Sequence, residues 1–332
     1  MREDLLEVLA EPGTGSALDL LVTRRGGDGG DEILDGSLTS RQTGKTFAIT
    51  NGIPRFVPAE NYADSFGMQW NRFRKVQLDS VNGTHMSRDR FTNETGWRLD
   101  DLKDKWTLDM GCGAGRFAEV AASGGSRFVG LDISSAVEAT RDTLRERFPR
   151  AEVVQGDILN PPFRNGGFDY VYCLGVLQHT PDNAGGVRSV VRMTKKGGSF
   201  AMTIYGRKPW TKLNTKYLIR PFTKRLPAQA LLKGIEKIMP LAFPLTDKLF
   251  KVPVVGRVAQ FTIPIYNYTS IDALNGDEKL RYDFAVLDTF DGLAPAHDHP
   301  MTPGEVEQAI RDVGAASFQF RERIPVVVSG TR

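Results

Sequence analysis

The stretch LDMGCGAGRF, residues 108–117, limits this chain more than any other part of it. A continuous apolar run, WTLDM at 106–110, breaks into glycines at 111, 113 and 115. Such a run suits a strand buried on both faces, as in a parallel sheet. Gly111, Gly113 and Gly115 suit a tight turn that sets bare backbone against a ligand. Residues 115–123 then read as a helix, whose first turn carries unpaired N–H groups. From there strand and helix alternate: RFVGLDI, a helix over 134–148 capped by Ser134 or Ser135, AEVVQGD, FDYVYCLG, a helix near 183–194, and GGSFAMTIY. The alternation predicts a doubly wound, mostly parallel α/β sheet with its ligand beyond the carboxyl ends of the strands. A helix with Thr302 as cap and Gly314 after its end, then the pair ASFQFRERI and PVVVSGT, would close the sheet at seven strands.

Five segments are expected: a small module over 1–58, a partly helical lead-in over 59–105, the α/β core over 106–205, a helical insertion over 206–300, and the closing helix and strand pair over 301–332. In the first, LTSRQTGKTFAITNGIPRFVP reads as a hairpin turning at NGIP, and RRGGDGGDEILDGS as a loose turn. With 332 residues, 40% hydrophobic content and a net charge of +3, the chain has the make-up of a soluble globular protein, and its net charge implies no nucleic-acid partner. Two cysteines, Cys112 and Cys173, support neither a disulfide framework nor a thiolate metal site. Acids in MREDLLEVLAEPG stand where a signal peptide needs an apolar core, and no apolar run approaches the roughly 18 residues of a membrane span. The expected location is cytoplasmic, with membrane association through 207–239 as its one qualification.

Two phosphate ligands fail on spacing. A dinucleotide needs G-x-G-x-x-G, and here the glycines run G-x-G-x-G. A triphosphate loop needs a glycine five residues before its G-K-[ST]; the one GKT, at Gly44, has Thr39 there.

The D-x-G-x-G-x-G form resembles the first motif of the class I S-adenosylmethionine (SAM) methyltransferases. The likeness extends to Asp132 at the end of FVGLD, to GDI at Gly156, Asp157 and Ile158, to FDYVYCLGVLQHTPD, and to KKGGSF. It implies SAM as cofactor and S-adenosylhomocysteine as product. It implies contacts from Gly111, Cys112, Gly113, Gly115, Ile133, Gly156, Ile158 and Leu174. Acceptors on Asp109, Asp132 and Asp157 would suit the ammonium, ribose diol and adenine amine of SAM. In similar enzymes a segment like YADSFGMQWNRFRKVQLDS folds over SAM, which makes Tyr62, Phe66, Gln69 and Trp70 candidates, Tyr62 on the substrate side.

Residues 5–58 resemble the zinc-ribbon family that activates some RNA and protein methyltransferases. The positions of its four cysteines read Glu11, Thr14, Ser40 and Thr43, so no zinc is expected. A structural role is expected, with partner activation as the alternative.

His179, just past the fourth strand of the core, is the candidate general base. His297 and His299, with Asp288 and Asp291, read either as a metal site or as a capping loop held by hydrogen bonds, and no metal is expected. Tyr205, Tyr266, Tyr268 and His297 are candidate substrate-wall residues. Between Gly206 and Ile238 nine basic residues face one acid, Glu236. Ala228, Leu231, Leu232, Ile235, Ile238 and Met239 recur at helical spacing, in a helix expected to open at Pro227 and end at Pro240. That basic, apolar segment fits a cover over the pocket for an anionic or amphipathic acceptor. The expected activity is SAM-dependent methylation of a small-molecule, glycan or lipid-linked metabolite at oxygen. An RNA or protein methyltransferase that uses its amino-terminal module for recognition is the rival reading.

Overall fold

The computed structural model describes residues 1–26, 30–58, 64–269, 271, 274 and 276–332. The run WTLDM becomes β5, Trp106–Met110, with all five residues buried. It lies between β6, Arg127–Asp132, and β8, Phe168–Leu174, both parallel to it. β7, Glu152–Gln155, pairs with β6, and β9, Thr194–Ile204, with β8. Chain order therefore reverses between β5 and β8, and the loops after these strands open a crevice there. β11, Val326–Thr331, and β10, Ser317–Glu322, close that side antiparallel. The helix before them, Pro303–Arg311, starts in a capping box in which the Thr302 hydroxyl and Glu305 satisfy each other's backbone N–H groups.

The sheet has eleven strands, not seven. Residues from 106 onward supply the seven that were expected. The other four come from the amino-terminal segment: β1, Leu18–Gly26; β2, Glu32–Ser40; β3, Thr46–Thr50; and β4, Ile53–Arg55. The full order is β1-β2-β3-β4-β7-β6-β5-β8-β9-β11-β10. β3 and β4 turn at Asn51 and Gly52, as NGIP requires. The loose turn expected around 24–37 is instead a bulged hairpin pairing Leu18 with Ser40 and Gly26 with Glu32. β4 joins the parallel sheet through one pair, Arg55 with Gln155. Leu5, Ile33, Leu38 and Phe47 pack in the same core as Leu108 and Val171.

Glu11, Thr14, Ser40 and Thr43 do converge. Glu11 accepts hydrogen bonds from Thr14 Oγ1 at 2.6 Å, Ser40 Oγ at 2.7 Å and Thr43 Oγ1 at 2.7 Å. The three hydroxyls, Thr14 first, hold its carboxyl below the usual range.

The insertion is helical. The helix opening after Pro227 does not end at Pro240. It runs Ala228–Phe250 through both Pro240 and Pro244. Both prolines lie on its exposed side, while Met239, Phe243 and Phe250 pack inward and hold the helix together across them. It packs on the helix Glu278–Leu293, and Met68 and Phe73 of the lead-in helix Asp64–Phe73 join that cluster. The helix expected over 134–148 spans Ala136–Leu144.

Candidate active site

A cavity of about 510 Å³ opens at the β5/β8 crevice, within the usual range for a small-molecule site. Its floor is the glycine loop. A Cβ at Gly111, where φ is +98°, would meet Val176 Cγ1 at 2.6 Å. One at Gly113 would meet the Trp70 indole at 3.2 Å. Bare backbone at both positions is what lets Val176 and Trp70 close on the loop. Gly67, one turn before Trp70, lets the lead-in helix seat on Ser135; a Cβ there would lie 2.3 Å from Ser135 Oγ.

Asp132 ends β6 at the cavity wall. Its Oδ2 accepts from Gly113 N at 3.0 Å, and its Oδ1 from Ser134 N and Oγ. These bonds fix the carboxylate, while burial raises its affinity for a proton. Cys112, Ile133, Ile158 and Leu174 also line the cavity. Cys112 and Cys173 are both buried, which pushes their thiols well up. The donor set fits SAM: a cradle that a Cβ would fill, a fixed acceptor for a diol, and apolar walls for a base.

Five of the expected cofactor contacts lie outside the cavity wall. Asp109 is buried under the loop rather than in the cavity wall; burial pushes its carboxyl well up, offset in part by the neighbouring Tyr172 hydroxyl. Asp157 accepts from Leu159 N at 2.9 Å and holds the turn after β7, with Gly156 behind it. Gln69 turns its Nε2 toward Asp291 Oδ1, 3.4 Å away. Gly115 shapes the entry to the helix Arg116–Ser123 without lining the cavity. Tyr62 lies outside the described residues.

His179 sits at the end of the short turn Leu177–His179 that follows β8, and it is buried. Its Nδ1 is 3.0 Å from the His297 carbonyl oxygen. A carbonyl only accepts, so Nδ1 carries a proton, and in the neutral ring the lone pair lies on Nε2. Nε2 is buried with no hydrogen-bond partner among the described residues and lies 4.0 Å from Asp291 Oδ2. Phe66 and Tyr205 flank the ring, at centroid distances of 5.2 and 5.6 Å. Tyr205, Tyr266 and Tyr268 all line the cavity, and burial pushes the first two phenols up, so they stay protonated. His297 does not line it. Its contribution is the carbonyl, and its ring lies against His299.

Arg90, Arg116 and Tyr217 also stand in the wall, though none was singled out in the sequence; Lys216, one of the nine basic residues of the insertion, stands there too. Arg116 is buried, which lowers its guanidinium to about 10. Asp288 is buried near it, and burial together with Asp291 lifts its carboxyl to about 7 against the pull of Arg116 and Arg90. Lys216 Nζ pairs with Asp298 Oδ2 at 2.5 Å, and Arg220 bonds the carbonyls of Gly292 and Pro295. Lys216 is thus paired, and Arg220 is tied to carbonyls inside the cap. Among the described residues no group of three or more His, Cys, Asp or Glu side chains is placed to hold a metal ion.

Residues 108–202 match the family model described as a methyltransferase domain. The chain is 34% identical over 103 residues to a ubiquinone biosynthesis O-methyltransferase of Vibrio parahaemolyticus, covering 30% of this chain and 44% of that one. It is 31% identical over 134 residues to the protein of the same name from Alkalilimnicola ehrlichii, covering 38% and 53%. The chain thus spans about half the length of the curated relatives it matches. A solved SAM-dependent methyltransferase from Mesorhizobium loti is 23% identical over 32% of this chain and 48% of that one, at a TM-score of 0.29, a likeness too partial to bear on the site. The chain carries a methyltransferase domain, and the cofactor of that domain is SAM.

Proposed function

We propose that this chain methylates a hydroxyl group of a small molecule, with His179 as the base. The observation that carries the reading is the His179 ring: Nδ1 is committed to the His297 carbonyl, and Nε2 is buried in the wall of the glycine-loop cavity with no hydrogen-bond partner among the described residues. SAM, when bound, supplies an electrophilic methyl group on a sulfonium. Gly111, Gly113, Asp132 and Trp70 hold it, with Ile133, Ile158 and Leu174 against its base. His179 Nε2 would take the acceptor's hydroxyl proton as the oxygen bonds the methyl carbon and the carbon–sulfur bond breaks, with S-adenosylhomocysteine as the leaving group. The imidazolium so formed is stabilised by Asp291, 4.0 Å away. Tyr205, Tyr266 and Tyr268 pack the acceptor and exclude water. The O-methyltransferase relatives support oxygen as the acceptor atom, and a glycan or lipid-linked alcohol belongs to the same class. The rival reading, an RNA or protein substrate held by the amino-terminal module, has less behind it, because none of the described residues of 1–58 lines the cavity.

The test is methyl transfer from labelled SAM to a panel of small phenols and alcohols, with the methyl located by mass spectrometry. His179→Gln should cut turnover by about 10²–10⁴ and leave SAM affinity, read by calorimetry, unchanged. Undiminished turnover in the variant would remove the base. A methyl group found on nitrogen or carbon would remove the hydroxyl.

A further inference from the structure

Twelve of the sixteen large apolar side chains that stand exposed among the described residues lie between 210 and 258, and they form stripes. On the helix Thr215–Thr223, Lys216 and Arg220 turn inward, while Leu218 and Phe222, one turn apart, turn outward. On Ala228–Phe250, Ile235, Met239 and Phe243 pack inward, and Ile238, Leu241 and Leu245 form a second, outward stripe. On Val255–Thr262, Gly256 and Ala259 are covered, and Val255 and Val258 are not. Phe222 is 72% exposed and Leu241 78%. The third of these helices packs against each of the other two. A helix that is apolar on both sides is ordinarily covered on both, and apolar surface gathered on adjoining helices marks an interaction face.

Charge identifies what meets that face. Residues 207–257 hold twelve Lys or Arg and two acids. Ten of the twelve are exposed, Lys212, Lys224, Arg225 and Lys248 among them. The two acids are engaged by arginines: Glu236 by Arg72, and Asp247 by Arg281. A second copy docked through the same face would set this charge against itself. Nucleic acid would match the charge and leave the aliphatic stripes in water. A surface of anionic lipid accepts both, with the apolar stripes at the acyl boundary and the ammonium and guanidinium groups among the headgroups.

We propose that the outward face of these three helices docks on the surface of a bilayer containing anionic lipid. The helices lie on the bilayer rather than cross it, since no described helix is long and apolar enough to span one. Lys216 and Tyr217, on the helix that bears Leu218 and Phe222, line the cavity. Docking therefore brings the lipid surface beside the site.

Flotation of the full chain with vesicles tests this. Binding is expected to vesicles of phosphatidylcholine mixed with phosphatidylglycerol, and to weaken as salt is added. Phe222→Ser, Leu241→Ser and Leu245→Ser together should lower the bound fraction about tenfold or more, with the thermal melt unchanged because all three side chains are already in water. Three results would overturn the proposal: no flotation with the mixed vesicles, equal flotation with phosphatidylcholine alone, or equal flotation of the triple variant. A dimer in sedimentation equilibrium that the same variant dissolves would assign the face to a second copy instead. Flotation needs no methyl transfer, so an inactive protein that still floats leaves this inference standing and the base role fallen.

Discussion

Asp109, one residue before the end of β5, and Asp132, at the end of the neighbouring β6, differ in their fates. Asp132 stands in the cavity wall with its oxygens fixed by Gly113 and Ser134; Asp109 lies under the loop, its carboxyl pushed up by burial. Asp132→Ala should therefore weaken SAM binding by about 2–4 kcal/mol, two charge-assisted hydrogen bonds that do not add fully. Asp109→Asn should leave the affinity close to that of the parent. Calorimetry that ranks the two the other way would reverse their assignments. Asp132 was legible because an acid closing the strand beside the glycine loop has one evident use. The burial of Asp109 under the loop was not legible, because in a continuous apolar run the side of the strand that faces the crevice is set by where the strand stops. Arg90 and Arg116 belong to no motif and reach Asp288 only through the fold.

Asp288 carries a pH dependence whose sign is fixed. Its carboxyl titrates at about 7 when folded, against 3.8 ordinarily. Between those values the folded chain holds a proton that the unfolded chain has released. Its contribution is therefore most favourable in acid and declines as pH rises, levelling off above 7. Asp288→Asn removes that decline, worth up to about 4 kcal/mol at pH 8. The fall in melting temperature between pH 5 and pH 8 should be smaller in the variant than in the parent. Identical falls would show that the carboxyl does not titrate there.

At the scale of elements, the helix Asp64–Phe73 is held to the glycine loop at two points: Gly67 on Ser135, and Trp70 on Gly113. Gly67→Val would put branched carbon where Ser135 already stands, push the helix outward and draw the indole off the loop. SAM affinity should fall about tenfold, on the order of 1.4 kcal/mol, and by less in Gly67→Ala. Equal affinity in all three proteins would mean that the helix is not part of the cofactor site. Elements of strict period were readable from sequence: β5, β6, β8, and the helix capped by Thr302. The helix through Pro240 and Pro244 was not, because a proline stops a helix by local rules that packing on both sides of it can outweigh. Nor was the β1–β2 hairpin, where glycines and acids between two alternating runs read as a turn longer than the one formed.

For the whole molecule, residues 1–58 are not an appendage. Ten of their apolar side chains, from Met1 and Leu5 to Phe47 and Phe56, are buried in the core shared with β5 and β8. At roughly 1.5–3 kcal/mol each, their loss exceeds the usual 5–15 kcal/mol stability of a domain. A chain of residues 59–332 should lack cooperative melting and near-ultraviolet circular dichroism. A sharp melt from it would show that the four amino-terminal strands are dispensable. The module's frame could be read from GKTFAITNGIPRFVP, but its addition to the main sheet could not, since one register pair between distant strands leaves no local trace.

That one pair has a consequence in time. Arg55 meets Gln155 across 100 residues of chain. Translation proceeds at about 5–20 residues per second, so the amino-terminal meander leaves the ribosome about 5–20 s before the strand that covers its last edge. Through that interval β4 presents open backbone N–H and C=O groups with Ile53 beside them. The nascent chain has to be kept from pairing with its neighbours on the same message until residue 155 arrives.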